Sequence, residues 1–89
     1  MLILFFLNNT NLYVPLEKDI EFLKKFGKRL KKLREEKNIM QAQLSFEADI
    51  QISQISRIER GQISTTISNL KLICKILDVS LKDFFDFEY

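Results

Sequence analysis

The sequence predicts an all-α fold, and three features of its 89 residues lead to that prediction. Only two Gly and one Pro are present, so residues that break helices are scarce. Hydrophobic residues make up 46% of the chain, which is enough to build one core at this size. Over long stretches they recur every three or four residues, which is the helical period. We therefore expect one domain of packed helices.

The first 19 residues, MLILFFLNNTNLYVPLEKD, form an apolar N-terminal segment that differs in character from the helical domain predicted over residues 20–89. Two apolar runs flank the turn-forming sequence NNTN, which favours a short β-hairpin arm. The run LILFFL is too short to span a bilayer, and the features of a signal peptide are missing. Three alternatives remain: an arm that packs on the body or on a dimer partner, a disordered leader, and a misassigned start codon.

A long amphipathic helix is predicted from Glu17 to Lys37. Its apolar residues are separated by four, four and three positions, at Phe22, Phe26, Leu30 and Leu33. Lysines cover much of the remaining surface. Asn38 is expected to end this helix, because asparagine accepts the left-handed backbone conformation.

The stretch QAQLSFEADIQISQISRIERG, residues 41–61, predicts two short helices joined by a tight turn. The helices cover residues 41–48 and 52–60, and Gly61 follows as the residue that leaves the second helix in a left-handed conformation. Such a helix-turn-helix can place its second helix in the major groove of DNA. That helix leaves hydroxyl and guanidinium groups outside, which suit phosphates and base edges, at Ser53, Ser56, Arg57 and Arg60.

Two further helices complete a predicted set of five. One begins near Thr66 and runs to about Leu77, and the other follows Ser80, where the sequence SLKD resembles a capping box. The loop QISTT before the first of these helices offers hydroxyl and free N–H groups that can hold a phosphate, at Gln62, Ser64 and Thr65.

The end of the chain is unusually rich in large apolar side chains: Leu81, Phe84, Phe85, Phe87 and Tyr89. A small domain cannot hide all of them at its last turn, and exposed apolar patches usually mark an interface. We therefore expect a homodimer that pairs through these residues with two-fold symmetry. In the competing interpretation, Phe84 joins the core of the monomer and the other residues cover the N-terminal segment.

The residue types that build catalytic and metal sites are scarce. There is no histidine and no cluster of cysteines, so a zinc site is not expected. The single cysteine cannot form an internal disulfide, and a chain without one is typical of the reducing cytoplasm. Cys74 falls on an apolar helical stripe and is expected in the core. With no Gly-rich phosphate loop and no paired carboxylates either, we expect no cofactor and no enzymatic activity.

The charge is distributed unevenly along the chain. Residues 20–61 contain ten Lys or Arg and six Asp or Glu, whereas the remainder contains four and six. This excess of positive charge favours a polyanionic partner such as a nucleic acid. A solvated lysine-rich helix would give the same counts, so charge alone does not separate the two interpretations.

The stretch from Phe26 to Phe85 resembles the helix-turn-helix domain of the Xre/Cro–cI family of bacterial and phage regulators. The matching positions have the spacing of that family: Arg34, Gln41, Leu44, Ile50, Ile55, Ser56, Ile58, Glu59, Gly61, Leu70, Ile73, Leu77, Val79 and Phe84. The resemblance implies a five-helix, lambda-repressor-like domain that binds double-stranded DNA as a dimer.

The resemblance also implies roles for individual residues. Base edges would be read by Ile52, Ser53, Ser56 and Arg57, and backbone phosphates would be contacted by Gln41, Gln51, Gln54 and Arg60. Arg34 and Glu59 would form a partly buried salt bridge that is structural. Two alternatives stay open: Ile52 either packs on a thymine methyl or turns into the core, and Ser56 either reads DNA or bonds within its own helix.

The function that follows is sequence-specific regulation of transcription, by a repressor that binds a pseudo-palindromic operator as a homodimer. Two alternatives keep the same fold: a controller of a restriction–modification locus, and an antitoxin whose arm binds a toxin. A module that binds only proteins is a further alternative. An acidic or apolar second helix would favour that module, and this helix is neither.

Overall fold

The computed structural model describes residues 17–88, and these residues form five helices in the predicted order. They are α1 (Glu17–Glu36), α2 (Gln41–Ala48), α3 (Ile52–Glu59), α4 (Ile67–Leu77) and α5 (Leu81–Phe84). No strand occurs in this part of the chain, which confirms the all-α prediction. The predicted β arm over residues 1–16 and the side chain of Tyr89 lie outside the described residues. None of the five helices combines the length and apolar character that a membrane span needs.

Helix α1 is the longest element, and it buries one apolar stripe against the rest of the domain. Leu23, Phe26, Leu30 and Leu33 lie in this buried face, whereas Phe22 remains 38% exposed. The helix ends at Glu36, and Asn38 follows with a φ of 58°. The left-handed residue is therefore Asn38, as predicted, and the helix itself ends one residue earlier than the predicted Lys37.

The core forms where α3 packs on α1 and α2, α4 packs on α2, and α5 packs on α1 and α4. Its fully buried side chains come from every helix: Leu30, Leu44, Ile55, Ile58, Ile73, Leu77 and Phe84. Cys74 is 2% exposed and belongs to this core, as predicted, and burial raises the pKa of its thiol. Burial at this level contributes about 1.5–3 kcal/mol for each large aliphatic or aromatic side chain.

The two glycines mark the places where α1 crosses the end of α3. A Cβ on Gly27 would overlap the carbonyl oxygens of Ile58 and Glu59 and would lie 2.7 Å from the Glu59 carbonyl carbon. A Cβ on Gly61 would lie 2.6 Å from the Cα of Lys24, and Gly61 also has a φ of 74°. Both positions therefore need glycine, and the end of α3 is fixed directly against α1.

The turn between α2 and α3 has Asp49 at the position where glycine is common in such turns. Asp49 has a φ of 55°, and its N–H donates to the Ser45 carbonyl oxygen. The Ser45 hydroxyl donates in turn to the Ile50 carbonyl oxygen, at 2.5 Å. Asp49 thus adopts the left-handed conformation, and Ser45 stabilises the turn through both its carbonyl oxygen and its hydroxyl.

We expect Asp49→Gly to raise the free energy of unfolding by about 0.5 kcal/mol, because glycine adopts this conformation without steric cost. Urea denaturation followed by circular dichroism measures the change. Asp49→Ala is the matched control, since it removes the same carboxylate but keeps a Cβ, and it should lower stability. Equal effects of the two substitutions would mean that the change in stability comes from loss of the carboxylate and not from the backbone conformation.

Side-chain caps start the last two helices. Thr66 accepts from the N–H of Asn69 at 3.0 Å, and Ser80 accepts from the N–H of Asp83 at 2.9 Å. The short helix α5 is also held at its other end, because Arg29 on α1 donates to the carbonyl oxygens of Asp83 and Phe84, at 2.6 and 2.9 Å. No local pattern in the sequence indicates this role of Arg29.

The position of Phe84 agrees with the competing interpretation, in which it joins the core of the monomer. It was expected at the dimer interface, but it is 0% exposed and packs with Phe26 at a ring-centroid distance of 5.0 Å. A side chain without exposed surface in the monomer cannot make a dimer contact. Phe85 and Phe87 are half-buried and stack on each other at 6.1 Å, whereas Leu81 is 38% exposed.

Candidate nucleic-acid interface

Helix α3 divides into a core face and an outer face. Ile55 and Ile58 are fully buried, whereas Ser53 and Arg57 are exposed and Ile52 is 47% exposed. Ile52 therefore does not turn into the core, which was one of the two alternatives for it. Ser56 is half-buried, on the border between the two faces.

The residues expected to contact phosphates surround this outer face. Gln51 precedes α3 and is exposed, and Gln54 is half-buried. The helix ends at Glu59, one residue earlier than predicted, and Arg60 caps it. Arg60 is exposed, and its Nε donates to the Ser56 carbonyl oxygen at 3.3 Å. Its guanidinium thus stays close to the helix that would enter the groove.

Glu59 and Arg34 form a buried ion pair that ties α3 to α1. Arg34 Nε donates to Glu59 Oε2 at 2.7 Å, and Arg34 Nη2 donates to Glu59 Oε1 at 3.1 Å. The two side chains are only 3% and 9% exposed for Glu59 and Arg34, respectively. The hydrogen bond to Glu59 raises the pKa of Arg34, with the carboxylate charges of Glu59 and Glu35 acting in the same direction and burial opposing them.

This pair determines the charge of the outer face of α3. Glu59 is the only acidic residue of the helix, and it is buried and neutralised by Arg34. The charged groups left exposed at this helix and its cap are Arg57 and Arg60, both cationic. Helix α3 can therefore approach a polyanion without carboxylate repulsion.

Gln41 has a partner that the sequence did not indicate. It is the first residue of α2, and its Nε2 donates to Glu59 Oε1 at 2.9 Å. Arg34 also donates from Nη1 to the Ile39 carbonyl oxygen at 2.8 Å, just before α2 begins. Met40, the N-cap residue of α2, makes no side-chain cap. The start of α2 is thus tied to the end of α3 through one carboxylate.

In the loop between α3 and α4, one of the hydroxyl groups predicted to hold a phosphate is not accessible. The Thr65 hydroxyl oxygen is buried and finds no hydrogen-bond partner among the described residues, so it is not presented to a phosphate. The Ser64 hydroxyl is half-buried and donates to the Thr65 carbonyl oxygen at 3.3 Å. Gln62 is exposed. In this loop the Gln62 and Thr66 side chains are exposed and Ser64 is half-buried, whereas the Thr65 hydroxyl must be removed from the predicted contacts.

Exposed lysines on α1 extend the positive surface. Lys24, Lys28, Lys31 and Lys32 are exposed, and the backbone of Lys24 lies against Gly61 at the end of α3.

Across residues 17–88, no three His, Cys, Asp or Glu side chains come together in a way that could hold a metal ion.

Comparison with known proteins identifies the family. Residues 30–84, more than half of the chain, match the helix-turn-helix family. The control protein C.BamHI of Bacillus amyloliquefaciens is 40% identical over 63 residues, which cover 70% of this chain and 78% of that protein. The restriction-modification controller protein C.AhdI from Aeromonas hydrophila has a TM-score of 0.70 and 32% identity, covering 73% of this chain and 98% of that one.

A third relative, C.Esp1396I, has been solved as a nucleoprotein complex. It has a TM-score of 0.65 and 39% identity, with 72% of this chain and 83% of that chain covered. The matched region contains α2, α3 and the turn between them, which carry the outer face described above. On this sequence and structural evidence, the chain belongs to the helix-turn-helix family of DNA-binding regulators.

Proposed function

We propose that this protein is a sequence-specific transcriptional regulator of the restriction–modification controller type. It binds a pseudo-palindromic operator as a homodimer, with residues 52–60 of each copy in one major groove and half-sites about 10 bp apart. It represses when its operator overlaps the promoter, because the bound dimer then blocks polymerase. The relatives that are controller proteins support this choice over the antitoxin alternative.

The observation that carries the proposal is the outer face of α3. Its side chains are small hydroxyls, one half-exposed isoleucine and guanidiniums, and its single carboxylate is buried in an ion pair. Hydroxyls and guanidiniums donate hydrogen bonds to base edges and phosphates. A face built for an ordinary protein partner would instead be enriched in aromatic residues.

Within this face, we assign base contacts to Ile52, Ser53, Ser56 and Arg57. Arg57 binds O6 and N7 of a guanine, which is the commonest specific contact in the major groove. Ile52 packs on a thymine methyl, and the two serines contact bases directly or through water. Phosphates are contacted by Gln41, Gln51, Gln54, Arg60, Gln62 and Ser64.

We place the dimer interface on the groove between α4 and α5. Leu72 and Leu81 are 37% and 38% exposed there, and both line the groove with Val79. Lys71 and Lys75 lie on its α4 side, and a neighbouring depression, which shares Leu81, contains Asp83 and Asp86. In a two-fold interface each patch meets its own counterpart, so the lysines of one copy would face the carboxylates of the other. Phe85 and Phe87 lie beside this surface, and Phe84 does not take part.

Arg57→Ala is expected to weaken binding by about 1–3 kcal/mol at its cognate base pair and to relax the preference there. Arg60→Ala is the matched control, because loss of a phosphate contact should weaken all sequences equally and reduce the salt dependence by about one ion. Fluorescence anisotropy with single-base variants of the operator measures both effects. A uniform loss with Arg57→Ala would make Arg57 a phosphate contact and refute its assignment.

The proposed function is tested by selecting duplexes from a random library with the purified full-length protein, at two salt concentrations. We expect an enriched palindrome, whose half-site spacing gives the geometry of the dimer. Salt-sensitive binding without an enriched sequence would refute sequence specificity. Absence of binding at both salt concentrations would refute the DNA-binding proposal and favour a protein partner.

A further inference from the structure

The Glu59 carboxylate accepts hydrogen bonds from two side chains that differ in their exposure to solvent. Arg34 donates to both of its oxygens, whereas Gln41 donates one Nε2–H to Oε1 at 2.9 Å. Arg34 is enclosed, with its side chain 9% exposed. Gln41 is half-buried at the first position of α2, where the unpaired N–H groups of a helix start are located. Gln41 is thus the member of this trio that a ligand can reach.

We propose that Glu59 is a positioning residue for DNA binding: it holds the Gln41 carboxamide so that the second Nε2–H donates to a backbone phosphate of the operator. This inference rests on the proposed function. It gives the buried ion pair a role beyond stability, since Arg34 fixes Glu59, Glu59 fixes Gln41, and Gln41 touches the DNA.

The physical reason is the loss of side-chain freedom on binding. A glutamine on a helix surface samples many rotamers, and ordering a long flexible side chain costs up to about 1.5–2 kcal/mol. The bond to Glu59 removes most of this freedom before the DNA arrives, so a contact made by Gln41 is preorganised. The dipole of α2 favours an anion at the same place, and the first turn of α2 contains no acidic residue.

The carboxylate does not exclude the phosphate. An ionised carboxylate accepts about four hydrogen bonds, and three donors from Arg34 and Gln41 already use most of this capacity. Its charge is offset by Arg34, so the trio as a whole is neutral. Because Gln41 is also neutral, its contact should contribute affinity without displacing a counterion.

The first step of the test is Gln41→Ala. We expect about a tenfold loss of affinity for every duplex, with an unchanged slope of affinity against salt. Gln43→Ala is the matched control, because Gln43 lies on the same helix and also donates to a carboxylate, Glu47, at 2.9 Å in an exposed position. The control should change affinity less than twofold. An unchanged affinity of Gln41→Ala would overturn the proposal.

The second step is a double-mutant cycle of Gln41→Ala with Glu59→Asp. The shorter aspartate keeps a negative charge for Arg34 but withdraws from Gln41 by one methylene. At a temperature where circular dichroism shows every variant folded, we expect Glu59→Asp to weaken binding about threefold to fivefold, and to have no further effect in the Gln41→Ala background. Equal losses in both backgrounds would show that Glu59 acts only on the fold, and would overturn the proposal.

A third measurement needs no variant of Glu59. In NMR spectra of the wild-type protein, one Gln41 side-chain N–H should exchange slowly with solvent, and the second should become protected when operator duplex is added. If both exchange as rapidly as those of the exposed Gln62, Glu59 does not hold Gln41 and the inference fails. Failure of the proposed function is recognised separately, because the wild-type protein itself would then bind no duplex or would bind all duplexes equally.

Discussion

Gly27→Ala should lower the free energy of unfolding by about 3 kcal/mol, because the added methyl group meets backbone and not a flexible side chain. Its Cβ would overlap the carbonyl oxygens of Ile58 and Glu59, which are part of α3. Neither helix can give way without moving Phe26 and Leu30, the buried residues of α1 nearest to this crossing. The substitution would therefore push apart α1 and α3, two of the helices that contribute to the core.

The sign of this effect is the decisive observation. Helix propensity alone predicts that alanine in place of a mid-helix glycine stabilises by about 1 kcal/mol. Urea denaturation followed by circular dichroism gives the change in unfolding free energy, and Lys28→Ala, at an exposed position of the same helix, is the control. A stabilised Gly27→Ala variant would mean that α1 and α3 do not approach each other as closely as described.

Arg34→Ala is expected to have the largest effect, a loss of about 3–5 kcal/mol of stability. The substitution leaves the Glu59 carboxylate, only 3% exposed, with the neutral amide of Gln41 as its remaining partner. It also removes the bond to the Ile39 carbonyl oxygen, which anchors the chain before α2. For a domain of this size the loss approaches the whole stability of the fold.

The double variant Arg34→Met, Glu59→Leu tests why Arg34→Ala loses stability. If the penalty arises from an uncompensated buried charge, replacing both partners by apolar side chains of similar size should recover much of the loss. Chemical denaturation of the two single variants and the double variant measures the coupling between the sites. Additive losses in the double variant would show that the two side chains do not interact and would contradict the ion pair.

Both predictions concern the same few atoms at the end of α3. Gly27 and Gly61 bring α1 against the backbone there, and the Glu59 side chain joins α1 and α2 from the other side. The orientation of α3 is thus fixed by its C-terminal end, which leaves its first residues, Ile52 and Ser53, at the surface. A recognition helix that contacts bases with its N-terminal residues needs this arrangement.

The sequence by itself determined the features that are local in the chain. Helical spacing of apolar residues placed four of the five helices within one residue of their ends, and the capping residues Thr66 and Ser80 were recognisable from the sequence that follows them. Asn38 and Asp49 could be predicted in left-handed conformations because side-chain chemistry favours them there. These features depend on neighbours a few residues away, so periodicity and turn chemistry are sufficient to find them.

Only the tertiary structure decided which side chains at the ends of helices lie in the core and which face solvent. Phe84 lies in the core, where it packs on Phe26, and Arg29 on α1 donates to its carbonyl oxygen across 55 residues of sequence. The Thr65 hydroxyl is buried, and Gln41 meets Glu59, for the same kind of reason: the packing of the helices around them determines what remains exposed. Gly27 was the one signal available beforehand, since a glycine inside a helix is costly unless another backbone needs its space. Contacts between residues distant in sequence follow from how the helices cross, and no local pattern encodes that crossing.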